Sequence, residues 1–139
     1  MPDTARTVHY FSIQVPNRPG QAFRVLSTLV SAGINLLACT GVSRGRRARI
    51  DVVPGDTRKF NAAVSKARLA FSPKKTGFLV QGEDRPGALA DNLKKLADAG
   101  VNVTAIDAVT AGEGRWGAIL WVNSRDVAKA AKRLGAKAR

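Results

Sequence analysis

The sequence repeats one short pattern at a constant distance. Residues 17–20 read Asn-Arg-Pro-Gly, and residues 32–35 read Ala-Gly-Ile-Asn. Residues 84–87 read Asp-Arg-Pro-Gly and residues 99–102 read Ala-Gly-Val-Asn, so each set lies 67 positions after its counterpart. Turn-forming residues repeated at a fixed distance indicate two copies of one supersecondary unit. Any fold for this chain must therefore contain the same unit twice.

The 139 residues divide into two predicted repeats, at 5–72 and 73–139. Both show strand and helix patterns in the order β-α-β-β-α. In the first repeat, residues 8–15 are rich in β-branched and aromatic side chains, as in a strand. Residues 21–32 carry apolar side chains at helical spacing. The glycine at position 33 is typical of the residue that follows a helix.

This order predicts an α+β fold made of two ferredoxin-like βαββα(β) repeats, each with an antiparallel sheet covered by helices on one face. Only residues 70–75 and 135–139 remain for the fourth strands. Pro73 lies within the first of these segments, and proline disfavours a central ladder position. We therefore expect the fourth strands to be short or absent.

The third strand of the second repeat has two interpretations, which differ in whether the sheet forms an interface. Aligning it with residues 50–52 of the first repeat turns Ile119 and Trp121 toward the helices. Leu120 and Trp116 then lie on the open face of the sheet, where a large apolar patch usually marks an interface. Strand propensity alone explains the same residues equally well.

The net charge of +13 is unusual, since 23 Lys and Arg residues face only 10 Asp and Glu residues. Such a charge favours anionic partners. The densest basic patch consists of Arg44, Arg46, Arg47 and Arg49. It is interpreted either as a solvated hairpin tip or as a surface that binds nucleic acid or an acidic partner protein.

The residues that commonly carry catalysis are sparse. His9 is the only histidine and Cys39 the only cysteine, and neither belongs to a motif with catalytic or metal-ligand spacing. We expect Cys39 to be a small buried apolar residue. No nucleotide-binding glycine motif is present. The sequence therefore predicts no metal, no cofactor and no enzyme activity.

The location of the protein is predicted from three sequence features. The single cysteine fits a reducing compartment. The sequence shows neither a secretory signal nor an apolar run of about 18 residues. These features favour a cytoplasmic protein.

The Arg-Pro-Gly loop before each first helix is the predicted site. Proline suits the first helical turn, and the unpaired amides of a helix start attract a carboxylate. The amide of Asn17 can both donate and accept a hydrogen bond. We expect Asn35 and Asn102 to lie near the same end of each repeat, where they complete an amino-acid site. A plain turn with a helix cap is the alternative interpretation.

With these motifs the chain resembles the ACT domains, small ligand-binding modules attached to many enzymes of amino-acid metabolism. The resemblance spans about residues 8–134 and is strongest to the serine-binding regulatory domain of phosphoglycerate dehydrogenase. It implies that the asparagines at 17 and 35 contact the ligand, and that the ligand lies where two such domains meet. The predicted ligand-binding residues are Asn17, Arg18, Gly20, Ile34 and Asn35 in the first repeat and Asp84, Arg85, Gly87, Val101 and Asn102 in the second.

Two departures from the family pattern distinguish the repeats. The family has a histidine two residues before the loop asparagine, where this chain has Val15 and Gly82. The second loop also begins with Asp84, whose carboxylate favours an ammonium and repels a carboxylate. We therefore expect two sites of unequal chemistry.

The resemblance implies a non-catalytic regulatory protein, a homodimer, that binds a small amino acid. A basic nucleic-acid-binding or partner-docking module is the alternative. A regulatory subunit that acts in trans on an amino-acid biosynthetic enzyme is a third interpretation, which shares the ligand site of the first.

Overall fold

The computed structural model describes residues 3–138, and its elements follow the predicted order twice. The first set comprises strand β1 (Thr4–Pro16), helix α1 (Gln21–Ser31), strands β2 (Leu36–Arg44) and β3 (Arg47–Pro54), and helix α2 (Thr57–Ala67). The second set comprises strand β4 (Lys75–Glu83), helix α3 (Ala88–Asp98), strands β5 (Val103–Gly112) and β6 (Arg115–Val122), and helix α4 (Val127–Leu134).

The chain forms two compact units. One contains His9–Lys75, and the other contains the residues from Thr76 onward together with the start of β1, up to Val8. These units differ from the predicted repeats, 5–72 and 73–139, because the strand that opens the first repeat begins in the other unit. Strand β1 therefore belongs to two units along its length.

In the first unit, β3 lies between β1 and β2 and pairs antiparallel with both. Its core lies between this sheet and the two helices, where Phe60 stacks on Phe11 at 4.5 Å between ring centroids. Phe71 adds an edge-on contact to Phe60 at 5.1 Å. Aromatic burial of this kind dominates the stability of a small core.

In the second unit, β6 lies between β4 and β5 and pairs antiparallel with both. Its core contains Phe78, Leu96 and Leu120, all fully buried. The start of β1 lies beside β4. The fold is thus α+β with ferredoxin-like repeats, as the sequence predicts.

The fourth strands are as short as predicted. Residues 69–74 lie outside the regular strands, although the Ser72 amide donates to the Ser12 carbonyl at 2.7 Å. At the other end of the chain, Lys137 forms a single parallel bridge with Arg6. Two backbone hydrogen bonds form this bridge, from the Lys137 amide to the Ala5 carbonyl at 3.0 Å and from the Thr7 amide to the Lys137 carbonyl at 2.9 Å.

The side chains of β6 lie on the opposite faces of the sheet from those predicted. Phe11 pairs with Val52 in the first unit, and Phe78 pairs with Leu120 in the second. Leu120 and Trp116 therefore lie in the helix-side core, and the expectation that Ile119 and Trp121 face the helices was wrong. A one-residue bulge between Thr110 and Gly112 causes the difference, because a shift of one residue turns every side chain to the other face.

Asp56 stabilises the start of α2. Its Oδ1 accepts a hydrogen bond from the Lys59 amide at 3.0 Å, as expected for an N-cap residue. Replacing Asp56 with alanine should lower the free energy of unfolding by about 1 kcal/mol, measured by urea denaturation. Asp126→Ala is the control, because Asp126 makes no side-chain cap bond to α4 and should change stability by less than about 0.5 kcal/mol. Equal losses in both variants would contradict the capping role.

Candidate functional site

The first-repeat loop is tied to the β2–β3 turn. The backbone amide of Asn17 donates to the Arg46 carbonyl at 2.8 Å, and its side-chain Nδ2 donates to the Gly45 carbonyl at 2.9 Å. Helix α1 begins without a side-chain cap. Asn17 therefore links the loop to the hairpin turn and does not act as the helix cap that the alternative interpretation required.

Glycine starts both loop helices for a conformational reason. Gly20 and Gly87 both adopt φ of +85°, a conformation that other residues adopt at a cost. A Cβ at either position would have no atom within 4 Å, so the glycines are not required for packing. The space beside both helix starts is open, and the amide of the first helical residue, Gln21 or Ala88, donates to the carbonyl of Arg18 or Arg85.

The basic patch lies at the same end of the first unit as the loop. Arg44 and Arg47 are cross-strand partners, and Arg47 also pairs with Pro16, the residue before Asn17. Arg46 supplies the carbonyl that Asn17 bonds. The side chains of all four arginines in the patch are exposed. The structure thus joins two predicted features, the loop and the patch, into one surface.

The second asparagine of each motif lies elsewhere. Asn35 follows the end of α1, and the 11 residues of this helix correspond to a length of about 16 Å. Pro54, at one end of β3, pairs with the start of β2, where Asn35 lies. Arg47, at the other end of β3, lies at the turn next to Asn17. The length of β3 separates these two ends by about 23 Å. The expectation that Asn17 and Asn35 lie near the same end of one repeat was therefore wrong, because α1 carries the chain back before β2 begins.

Ile34 and Val101 belong to the packed cores. They are 7% and 5% exposed, and their backbone amides donate to the carbonyls of Leu29 and Leu96 at the helix ends. The asparagines that follow them, at 35 and 102, have exposed side chains. Among the predicted residues at this end, the asparagines thus offer side-chain polar groups to a ligand and Ile34 and Val101 do not.

The second-repeat loop keeps the backbone link but changes the chemistry. The Asp84 amide donates to the Gly114 carbonyl at 2.8 Å, as Asn17 does to Arg46. A carboxylate has no hydrogen to donate to a carbonyl, so Asp84 cannot repeat the side-chain bond of Asn17. Arg85 instead donates to Asp91 on α3 at 2.9 Å.

An open pocket of about 530 Å³ lies beside this second loop. It is bounded by the loop, the first turns of α3 and the second half of β5. Its walls are mostly apolar, with charged groups at one end, and include Asp84, Arg85, Leu89, Leu93, Val109 and Trp116. Pockets of this size and composition are typical of small-molecule sites. The predicted residues Asp84, Arg85 and Gly87 all contribute to it.

A buried carboxylate next to this pocket was not predicted. The side chain of Asp3 is 7% exposed. Its Oδ2 accepts from Asn92 Nδ2 at 2.8 Å, and its Oδ1 accepts from Trp116 Nε1 at 3.4 Å. The guanidinium of Arg85 lies 3.6 Å from Oδ1. We call these three donors, arranged around Gly82, the Asp3 cradle.

A second buried carboxylate lies on the first-repeat sheet, on the face opposite the helices. Asp51 accepts hydrogen bonds from Ser12 and from Thr40, and the guanidinium of Arg49 lies 3.5 Å from it. Nearby Cys39 is exposed, not buried as expected, because β2 is an edge strand. Partial desolvation raises the pKa of the Cys39 thiol, and the Asp51 carboxylate raises this pKa further.

Removing the Asp51 charge should make Cys39 more reactive. In Asp51→Asn, the pKa of the thiol falls because a nearby negative charge is lost, so more thiolate is present at any pH below the pKa. The pH profile of iodoacetamide alkylation should move to lower pH. Asp56→Asn is the control, since the Asp56 carboxylate is engaged with α2. An unchanged profile in folded Asp51→Asn would contradict the assignment.

Comparisons with known proteins agree with this fold. Residues 78–136 match the family model of the ACT domain. No curated protein matches the sequence significantly. The chain is similar in structure to protein BT0572 of Bacteroides thetaiotaomicron, with a TM-score of 0.80, 21% identity, and coverage of 94% of this chain and 88% of that one.

The fold is also similar to the regulatory subunit of aspartate kinase from Thermus thermophilus. The TM-score is 0.64 at 16% identity, with 97% of this chain and 95% of that chain covered. Aspartokinase α and β subunits give a TM-score of 0.63 at 17% identity, with 96% and 95% covered.

The second repeat is therefore an ACT domain, and the first repeat has the same order of elements and the same loop geometry. The family match covers the second repeat, and a tandem arrangement of two such units is consistent with it. Within residues 3–138, no helix is both long and apolar enough to cross a membrane. In the same range, no three His, Cys, Asp or Glu side chains cluster in a way that could hold a metal ion.

Proposed function

We propose that the protein is a regulatory module that binds a small amino acid at its β1–α1 loop. One observation carries this proposal: Asn17 fixes the loop against the hairpin turn that bears the basic patch. The exposed helix start and the arginines offer donors to a carboxylate. The side-chain oxygen of Asn17, which is not used in its bond to Gly45, remains to accept from an ammonium.

The separation of Asn17 and Asn35 implies that a site using both is completed by a second copy. A single amino acid cannot span the length of α1. In a two-fold pair with antiparallel neighbouring helices, the start of one α1 lies beside the end of the other. Asn17 of one copy then faces Asn35 of its partner, and the pair contains two equivalent sites.

The first repeat has apolar surface suited to such a pair. Phe23 and Val30 lie seven residues apart on one side of α1, and both are 71% exposed. Val42 on the edge strand β2 is 56% exposed. Exposed apolar side chains on α1 and on an unpaired strand edge favour association with another copy.

Binding is tested first with the twenty amino acids. Isothermal titration of the folded protein should detect at least one amino acid at millimolar concentration or below. Asn17→Ala and Asn35→Ala should each weaken that binding at least tenfold, about 1.4 kcal/mol, without changing the thermal midpoint appreciably. Asn102→Ala is the control for the first repeat and should leave this binding intact. Absence of any binding to the folded protein would contradict the proposal.

Mixing the two variants tests whether the site is shared. In a mixed pair of Asn17→Ala and Asn35→Ala, one site carries both substitutions and the other carries neither. Random pairing should therefore restore about one quarter of the first-repeat sites, counted as binding stoichiometry by titration. A site contained within one copy predicts no restoration at all.

Charge on α1 should separate the two copies. Phe23→Glu places a carboxylate in the proposed interface, and the molar mass from light scattering should fall to that of one chain. Ala90→Glu, at the equivalent position of α3, is the matched control and should keep the mass of the unmodified protein. A monomeric unmodified protein, or an undiminished mass in Phe23→Glu, would contradict this arrangement.

Ligand binding at such a site can be transmitted to another protein through the pairing of the two copies. A ligand bound between copies favours the paired state by its difference in affinity for the two states. The regulated partner is proposed to be an enzyme of amino-acid metabolism acted on in trans, with the protein in the cytoplasm. The similarity of the fold to the aspartate kinase regulatory subunit supports this class of partner.

A further inference from the structure

The Asp3 cradle is an arrangement of donors only. Asn92 and Trp116 direct N–H groups to the Asp3 carboxylate, and Arg85 adds a positive charge. Asn92 is 3% exposed, and it also donates to the Ala88 carbonyl at 2.9 Å. Buried donors without an acceptor destabilise a protein, so the cradle requires an oxygen-rich occupant.

The equivalent corner of the first repeat is apolar. There Val15 pairs with Ala48, whereas the second repeat pairs Gly82 with Trp116 at the same place. A Cβ on Gly82 would lie 1.9 Å from Asp3 Oδ1, so this position admits the carboxylate only as glycine. Trp116 on β6 brings its indole N–H into the space that Gly82 on β4 leaves free.

The helix that packs against this corner also carries a polar residue in the second repeat where the first repeat has an apolar one. Val25 on α1 is a core residue, and its counterpart on α3, 67 positions later, is Asn92. Three changes between the repeats thus act together. One removes a side chain, and two add N–H donors aimed at the vacated space.

The cradle adjoins the open pocket of the second repeat. Arg85 and Trp116 contribute to both, and Ala88 lines the pocket while its carbonyl accepts from Asn92. A small molecule in the pocket therefore lies next to the same donors that hold Asp3. Its carboxylate and the Asp3 side chain cannot occupy the cradle together.

We propose that the cradle is a carboxylate-binding site for a small free ligand, and that Asp3 is an occupant tethered to the chain that competes with this ligand. The site takes a carboxylate because its donors match two oxygens and one negative charge. The inference rests on the proposed function at one point only, that the natural carboxylate belongs to an amino acid.

The test uses Asp3→Ala and acetate. Removing the side chain empties the cradle, so acetate should bind the variant at least tenfold more tightly than it binds the unmodified protein. The readout is the pair of nitrogen–proton NMR signals from the Trp116 indole and the Asn92 side-chain amide, which should shift together. Acetamide has the same shape without the charge and should shift neither.

Two variants serve as controls. Asp98→Ala removes a carboxylate at the far end of α3, where it pairs with Lys94 and lies outside the pocket lining, and should gain no affinity for acetate. Asp3→Ala combined with Asn92→Val restores the residue type of the first repeat and should lose the gain. Equal responses to acetate and acetamide, or an equal gain in Asp98→Ala, would overturn the proposal.

Asp3→Asn covers the case in which Asp3→Ala does not fold. The amide keeps the shape of the side chain but places an N–H group among donors, so acetate should displace it and raise the thermal midpoint, whereas acetamide should not. Absence of this acetate-specific rise would overturn the proposal and leave Asp3 as an anchor only. Acetate binding without binding of any amino acid would support the cradle and contradict the proposed function, so the two failures are distinguishable.

Discussion

Each repeat depends on a central strand held between two antiparallel neighbours. The register of β3 and β6 decides which side chains meet the helices and which loop lies beside which turn. Backbone pairing at the end of this strand fixes Asn17 and Asp84 against the hairpin turns. The geometry of the candidate site is thus a consequence of strand register, because a shift of one residue would turn every side chain of the strand to the other face.

Much of this fold could be predicted because its determinants are local. The Pro-Gly loops and the glycines after the first helices stand at fixed positions in the sequence, and they mark the order of elements directly. The facing of β6 could not be predicted, since it depends on a bulge between Thr110 and Gly112 that leaves no clear pattern in the sequence. The contacts of Asp3 lie 89 and 113 residues away, beyond the range of any local pattern.

The two repeats share a scaffold and differ in what they offer a ligand. The first presents Asn17 beside exposed arginines, and its second asparagine lies at the far end of α1. The second presents a pocket with an acidic residue at its mouth and three donors behind it. The same loop geometry thus adjoins the proposed shared site in one repeat and an open pocket in the other.

If Asp3 competes with a free carboxylate as proposed, its connection to β1 sets a threshold for the second repeat. Asp3 directly precedes the strand, so its carboxylate is present near the cradle at an effective concentration of about millimolar or above. A free carboxylate must exceed that level or gain affinity from the pocket walls before it enters. Two repeats of one design would then respond over different ranges of ligand abundance, and the protein would report both scarcity and excess of a metabolite.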